Sequence, residues 1–167
     1  MAQGTKEIHF EEHIANYLTR EIDPGIFDYK IRDTSFYDKK LCLIPDDVIG
    51  FIEDTQPEKF KALYQQYGTD TYVKIIDRVA ESLNKHKTLH VFREKVKDRG
   101  QTLDLVYFKP SHSKTPEHIE NYKKNRLTII RQLKYSTKNE NSIDIVIFLN
   151  GIPVLTMELK NALTGQY

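Results

Sequence analysis

The chain has 167 residues, enough for one domain with a real hydrophobic core and short for two. Hydrophobic residues make up 39% and charged residues 29%, which excludes a disordered chain of low hydrophobicity. A net charge of +1 gives no overall basic character, so any contact with nucleic acid must come from local patches. The one cysteine, Cys42, lies in an apolar run, and a buried thiol without a possible intrachain disulfide suits a reducing cytosol. No segment has signal-peptide form or approaches the roughly 20 apolar residues of a membrane helix. The expectation is a cytoplasmic protein with no membrane contact.

Residues 5–20 read as a helix with Phe10, Ile14, Tyr17 and Leu18 on one face. Residues 21–44 are mixed and turn-rich, with a break at Asp23-Pro24-Gly25. Pro45 opens a short helix to Glu53, and Pro57 opens another to Gln66, with Gly68 as the stop signal. Tyr72, Ile75, Ile76, Val79 and Leu83 mark an amphipathic helix of about 14 residues. Residues 89–96 and 103–108 read as strands joined through Asp98-Arg99-Gly100. Residues 109–115 form a polar loop, and Pro116 starts a short helix capped by Thr115. Leu127, Ile129, Leu133 and Tyr135 share one parity, predicting a strand over 126–135. A polar loop at 136–142 leads into a β-hairpin: 143–149, Asn150-Gly151, then 152–160. Helices come first and strands later, the order of an α+β domain or of an α/β domain with a mixed sheet.

The hairpin is the most informative segment. Its odd positions, Ile143, Ile145, Ile147 and Leu149, then Pro153, Leu155, Met157 and Leu159, form an apolar face if the two strands merge. Its even positions are apolar near the turn and polar at the open end, where Asp144, Glu158 and Lys160 sit. Loop length decides whether these share a face. A two-residue Asn-Gly loop pairs Leu149 with Ile152 and separates Asp144 from Glu158. A three-residue loop with Gly151 at the bulge position pairs Phe148 with Ile152 and sets Asp144 opposite Thr156, with Glu158 diagonal on the same face. Only the second register merges the apolar faces, so the odd-length, bulged loop is predicted.

Two carboxylates beside a lysine suit Mg²⁺, a hard cation that takes oxygen ligands and keeps several waters. Such a metal polarises a phosphate and activates water, and a lysine beside it orients that water or stabilises developing charge. The alternative is a solvated strand end. Glu-x-Lys is a weak pattern, and Asp28-x-Lys30 and Asp38-x-Lys40 occur in this charge-rich chain in no such setting.

Residues 125–166 read NRLTIIRQLKYSTKNENSIDIVIFLNGIPVLTMELKNALTGQ. The stretches NRLTIIRQLKYS, DIVIFLNGIPVLTMELKN and LTGQ closely resemble the N-terminal nuclease region of the R (restriction and translocation) subunit of type I restriction-modification enzymes. Weaker similarity extends through LDLVYFKPS and FEEHIANYL. The resemblance implies a restriction-endonuclease-like fold of the PD-(D/E)xK kind, a mixed central β-sheet flanked by helices. It implies metal binding by Asp144, by Glu158 and by the backbone carbonyl of Leu159, with Lys160 completing the Glu-x-Lys element. A glutamate on the first helix is also used in many members; Glu11 matches that position, with Glu12 competing. Members continue into a helix with a Gln and a Tyr four apart and then an ATP-driven motor. This chain stops at Gln166-Tyr167, so residues 1–167 are expected to be the endonuclease piece, truncated at its C-terminus, of a longer subunit. ATP would act only through the absent motor.

Residues 121–138 hold Lys123, Lys124, Arg126, Arg131, Lys134 and Lys138 without an acidic residue, a candidate phosphate-contacting surface or a lysine-protected strand edge. Gln132 is either a hydrogen-bonding group beside the site or an exposed strand residue. His9 and His13, four apart, lack a third metal ligand, and exposed helix histidines are the simpler reading. Tyr64, Tyr67 and Tyr72 suit packing better than base stacking. The resemblance implies Mg²⁺-dependent cleavage of double-stranded DNA, in complex with methyltransferase (M) and specificity (S) subunits. The alternatives are a catalytically silent DNA-binding or subunit-docking domain, and a stand-alone repair nuclease of the same superfamily.

Overall fold

The computed structural model describes residues 3–19, 29–111 and 115–159. The expected break at Asp23-Pro24-Gly25 and the candidate Lys160 lie outside them. A four-stranded mixed sheet runs in the order β1-β4-β5-β6, with β1 Tyr29–Ile31, β4 Leu127–Lys134, β5 Ser142–Leu149 and β6 Ile152–Met157. β1 is parallel to β4, and the remaining pairs are antiparallel. Helix α1 (Gln3–Leu18) packs Ile14 and Leu18 against Ile129, Ile145 and Ile147 on one face. Ile130, Val146 and Phe148 face the other way, toward Ile44 at the start of α2 (Pro45–Thr55). The fold is therefore α/β, a mixed sheet flanked by helices, as the order of elements implied.

A second layer holds the largest core. It combines α2, α3 (Pro57–Tyr67), α4 (Thr71–Lys85), α5 (Thr88–Glu94) and the short hairpin of β2 (Val96–Asp98) and β3 (Gln101–Leu103). Proline at the first turn of α2 and α3, and Gly68 at φ +60 closing α3, explain why these helices follow their sequence signals. α4 buries Ile75, Ile76, Val79 and Ala80, while Tyr72 remains exposed.

Several expectations need correction. The strand expected over 89–96 is a helix up to Glu94, and only Val96 belongs to a strand, β2. α5 occupies Thr88–Glu94 and buries the adjacent pair Val91 and Phe92, a helical stripe that strand alternation would split. Its N-cap, Lys87, makes no side-chain cap, so the start carries no signal. Residues 104–108 are not a strand either. Leu105 and Val106 are buried in succession, and side-chain amides replace a strand partner. The Gln56 amide donates to the Asp104 carbonyl and accepts from its N–H, both at 2.8 Å. Asn125 does the same for Tyr107. Thr115 precedes α6 (Pro116–Lys123) without a side-chain cap. Cys42 is exposed, at φ +56, rather than buried. On α1, Phe10 and Tyr17 are exposed; the inward stripe is Glu11, Ile14, Ala15 and Leu18.

The hairpin differs from its expected form in a way that matters. The loop is the two-residue turn, Asn150 at φ +51 and Gly151 at φ +80, pairing Leu149 with Ile152. These are the dihedral signs of a type I′ turn, whose twist matches the strands. The extra residue sits further along. Phe148 pairs with Pro153 but Ile147 with Leu155, so Val154 is a bulge in β6. Beyond it Ile145 faces Met157, and the same register carried one residue further sets Asp144 opposite Glu158 rather than Thr156. A bulge in the strand therefore has the effect expected of a bulge in the loop.

The turn is fixed from outside. The buried Asn150 amide donates to the Leu105 carbonyl (2.9 Å) and Asn125 Oδ1 (2.8 Å), and its Oδ1 accepts from the Arg126 N–H (2.6 Å). Ile44 N–H donates to the Gly151 carbonyl at 2.9 Å. A Cβ on Gly151 would lie 2.4 Å from the Ile44 carbonyl oxygen, at a φ that L-residues avoid. Gly151→Ala is expected to cost about 2–4 kcal/mol through strain and clash together. Asn150→Ala is expected to cost about 2–3 kcal/mol by leaving buried partners unpaired. Urea unfolding measures both, and a midpoint unchanged in either variant would show that the turn is not held this way.

Candidate active site

Asp144 lies in β5, partly buried, and both its oxygens are engaged. Oδ2 accepts from the backbone N–H of Leu159 at 2.6 Å, which ties the end of the β6 segment to β5. Oδ1 accepts from the Gln132 side-chain amide at 3.0 Å. The same Nε2 donates to Glu11 Oε1 on α1 at 2.7 Å. The Ser142 hydroxyl donates to Gln132 Oε1 at 2.9 Å, which turns the NH₂ of that amide toward the two carboxylates. Residues from α1, β4 and β5 thus meet at one amide.

The backbone of β4 is unusual at this point. Gln132 has φ +49 within a strand. The ladder runs Arg131↔Ile145, then Leu133↔Ile143. Ile130 and Leu133, three apart, share one cluster, as do Val146 and Ile143 across from them. Strand alternation slips by one residue in both strands, so Ile143 leaves the face of Ile145 and Ile147. The slip lets two successive side chains of β4 reach the same carboxylate: Gln132 at Glu11 Oε1, and Arg131 with Nε 3.6 Å from Glu11 Oε2. A left-handed glutamine costs on the order of 1–3 kcal/mol, and such strain collects at functional sites.

Glu11 is only 2% exposed. Its Oε2 and the Arg131 Nε are both buried, and neither has a hydrogen-bond partner among the described residues. Glu12 is exposed and reaches Arg131 only at 3.8 Å, so Glu11 is the glutamate that helix α1 turns inward. The buried oxygen suits a hard cation, as does the oxygen chemistry of the Glu11–Asp144 pair. Glu158 is exposed and Leu159 partly buried. Among the described residues no three His, Cys, Asp or Glu side chains form a group able to share a metal ion.

The basic candidates divide. Lys123, Lys124 and Arg126 lie around the start of β4, at the hairpin-tip end, and Arg131 and Lys134 toward its other end, where the carboxylates are. Lys123 pairs with Glu120, Lys124 donates to the Asp54 carbonyl, and Arg126 pairs with Asp54 while its guanidinium fills the space over Gly50. Lys134 pairs with Glu140 at 2.6 Å, a hydrogen bond and charge that hold the Glu140 carboxyl below its usual pKa. His9 and His13 are exposed, with His9 3.6 Å from Glu12. The Tyr67 and Tyr72 hydroxyls bond Asp98 and Glu53, consistent with packing roles. Sequence reasoning did not single out Ser142, and nothing in its local pattern marks it. Among the described residues no helix is long and apolar enough to cross a membrane.

The model of the type I restriction enzyme R protein N terminus matches residues 46–166, well over half of the chain. No curated protein and no solved structure matches. The match spans β4, the hairpin with Asp144 and Glu158, and the segment carrying Lys160, and leaves out α1 with Glu11. The chain therefore belongs to the family of type I restriction enzyme R protein N termini.

Proposed function

We propose that this chain carries the metal-dependent phosphodiester-cleaving site of a type I restriction enzyme R subunit, acting on double-stranded DNA. The observation that carries this reading is the Gln132 amide joining Glu11 to Asp144 while Glu11 Oε2 stays buried without a hydrogen bond among the described residues. A solvated strand end has no use for a buried carboxylate or a strained backbone beside it.

Glu11 and Asp144, which meet at the Gln132 amide, are the proposed carboxylate donors for one Mg²⁺; Glu158 and the Leu159 carbonyl, the rest of the set that the resemblance implies, would have to move in as the cation binds. Two or three protein oxygens suffice, because Mg²⁺ retains several waters. Once bound, the cation would polarise the scissile phosphate and lower the pKa of a water. The chain's own groups do the positioning. Gln132 fixes the spacing between Glu11 and Asp144, and the Leu159 N–H orients Asp144. Lys160, next in the chain, is assigned to orienting the attacking water. Arg131 and Lys134, near the carboxylates, are the proposed phosphate contacts at the site; Lys123, Lys124 and Arg126 would meet the duplex further along. Partnership with M and S subunits, and ATP use by a motor region, are part of the same proposal.

Calorimetry with Mn²⁺ or Mg²⁺ on this chain and on Asp144→Ala tests the site. Binding is expected in the parent and lost in the variant; binding that survives the substitution would remove Asp144 from the site. In an assembled restriction enzyme, Asp144→Ala is expected to abolish cutting and leave complex assembly intact. The silent docking alternative predicts that restriction continues.

Gln132 separates backbone strain from side-chain function. Both Gln132→Ala and Gln132→Gly are expected to weaken metal binding about tenfold, the scale of one lost charge-assisted hydrogen bond. Gln132→Gly should be the more stable of the two by about 1 kcal/mol, because glycine accepts φ +49 without penalty. Equal unfolding midpoints for the two variants would show that the backbone at 132 is not strained.

A further inference from the structure

Arg131 sits against α1 with one long hydrogen bond, to the Ile8 carbonyl, and no closed ion pair. Its Nε is 3.6 Å from Glu11 Oε2, one terminal nitrogen is 3.8 Å from Glu12 Oε1, and the other lies 3.4 Å from the Ile8 carbonyl. Arginine–carboxylate pairs normally close to about 2.7–2.9 Å, often through two parallel bonds. Gln132 takes one lone pair of Glu11 Oε1, and the arginine closes on neither carboxylate oxygen. What remains is a charge held near a buried carboxylate by Coulomb attraction, with donor and acceptor both unsatisfied among the described residues.

We propose that Arg131 is a displaceable counter-charge: its guanidinium neutralises Glu11 in the metal-free protein and is released toward a DNA phosphate when Glu11 binds the cation. The inference rests on the metal-dependent reading above and adds a regulatory residue to it. Two cations cannot both sit at Glu11 Oε2 without repulsion, so metal binding there weakens the hold on Arg131. The Arg131 side chain is 27% exposed against 3% for Glu11, so the arginine is the partner with room to leave. Its planar fork fits phosphate oxygens as well as carboxylate oxygens. The site would then present its phosphate-binding arginine only when loaded with metal.

The test compares Mn²⁺ affinity by calorimetry in this chain and in Arg131→Gln. Removing a competing cation is expected to tighten binding roughly fivefold, the scale of one partly exposed charge pair. Arg131→Lys, which keeps the charge, should fall between the two. In the unsubstituted protein, the Arg131 Nε–Hε resonance should move on adding Mg²⁺, a readout that stands even if Arg131→Gln fails to fold. Equal or weaker Mn²⁺ binding by a folded Arg131→Gln, or an unmoved resonance in protein shown to be metal-loaded, would sink the counter-charge idea alone, provided Asp144→Ala still abolishes binding. Absence of metal binding in every form, including the parent, would overturn both this inference and the metal-dependent reading.

Discussion

Asn150 and Gly151 reverse the chain in two residues, both at positive φ, and every pairing between β5 and β6 counts from them. The turn has almost no freedom to slip. Asn150 is buried and bonded to the Arg126 N–H, the Leu105 carbonyl and Asn125, while Gly151 is bonded to Ile44 and backed by Val48 at the start of α2. One end of the sheet is thereby clamped to the second layer. The bulge at Val154 then changes the register once, from Phe148↔Pro153 to Ile147↔Leu155. Because side chains alternate, a shift of one residue decides which face a carboxylate occupies. The even register beyond the bulge is what sets Asp144 against the Glu158–Leu159 segment. The proposed site thus lies about 20 Å from the turn that aligns it, at roughly 3.3 Å per strand residue.

The second constraint is the irregularity at Gln132. A regular β4 would send Arg131 and Gln132 to opposite faces, and only one could reach Glu11. The left-handed residue brings both to the same carboxylate, and the neighbouring strand follows by moving Ile143 out of line with Ile145. Strain in the backbone and burial of a carboxylate are two separate costs at the same place. The slip also carries Leu133 and Ile143 into the cluster of Ile130 and Val146, but that packing does not explain the burial of the Glu11 carboxylate. The coincidence of the two costs at the one amide that touches Glu11 and Asp144 favours a functional origin over a structural one.

How much of this was legible in the sequence depends on where the deciding signal lies. Helices α2, α3 and α4 could be read because Pro45, Pro57, Gly68 and the Ile75–Ile76–Val79 spacing are local signals that the tertiary structure leaves in force. α5 could not, because Lys87 offers no cap and Val91-Phe92 suits a strand run as well as a helix. Residues 104–108 look like a strand because they are apolar and buried; the Gln56 and Asn125 amides that take a partner strand's place lie elsewhere in the chain. Parity placed Asp144 and Glu158 at one end of the hairpin, and the merging of apolar faces required an extra residue somewhere. That it falls at Val154 rather than in the loop is decided by contacts to Ile44 and Leu105. Glu11 defeated the reading of α1 for a physical reason: periodicity assigns apolar residues to the buried stripe, whereas a carboxylate occupies it and leaves Phe10 and Tyr17 outside.

The pairing of the basic residues sharpens the distinction between surface and site. Lys123 and Lys134 are held by Glu120 and Glu140 in exposed pairs that solvent screens and that compete weakly with phosphate. Releasing them toward a polyanion costs little, and screening by salt weakens them further. Arg126 differs, since its guanidinium fills the space over Gly50 and it closes on Asp54; moving it would open a gap against α2. Arg131 differs again, because its partner is buried and the pair is not closed. Four basic residues of one strand and its approach thus have three physical characters: solvated, structural, and poised beside a carboxylate. Charge counting along 121–138 treats them alike, and only their partners separate them.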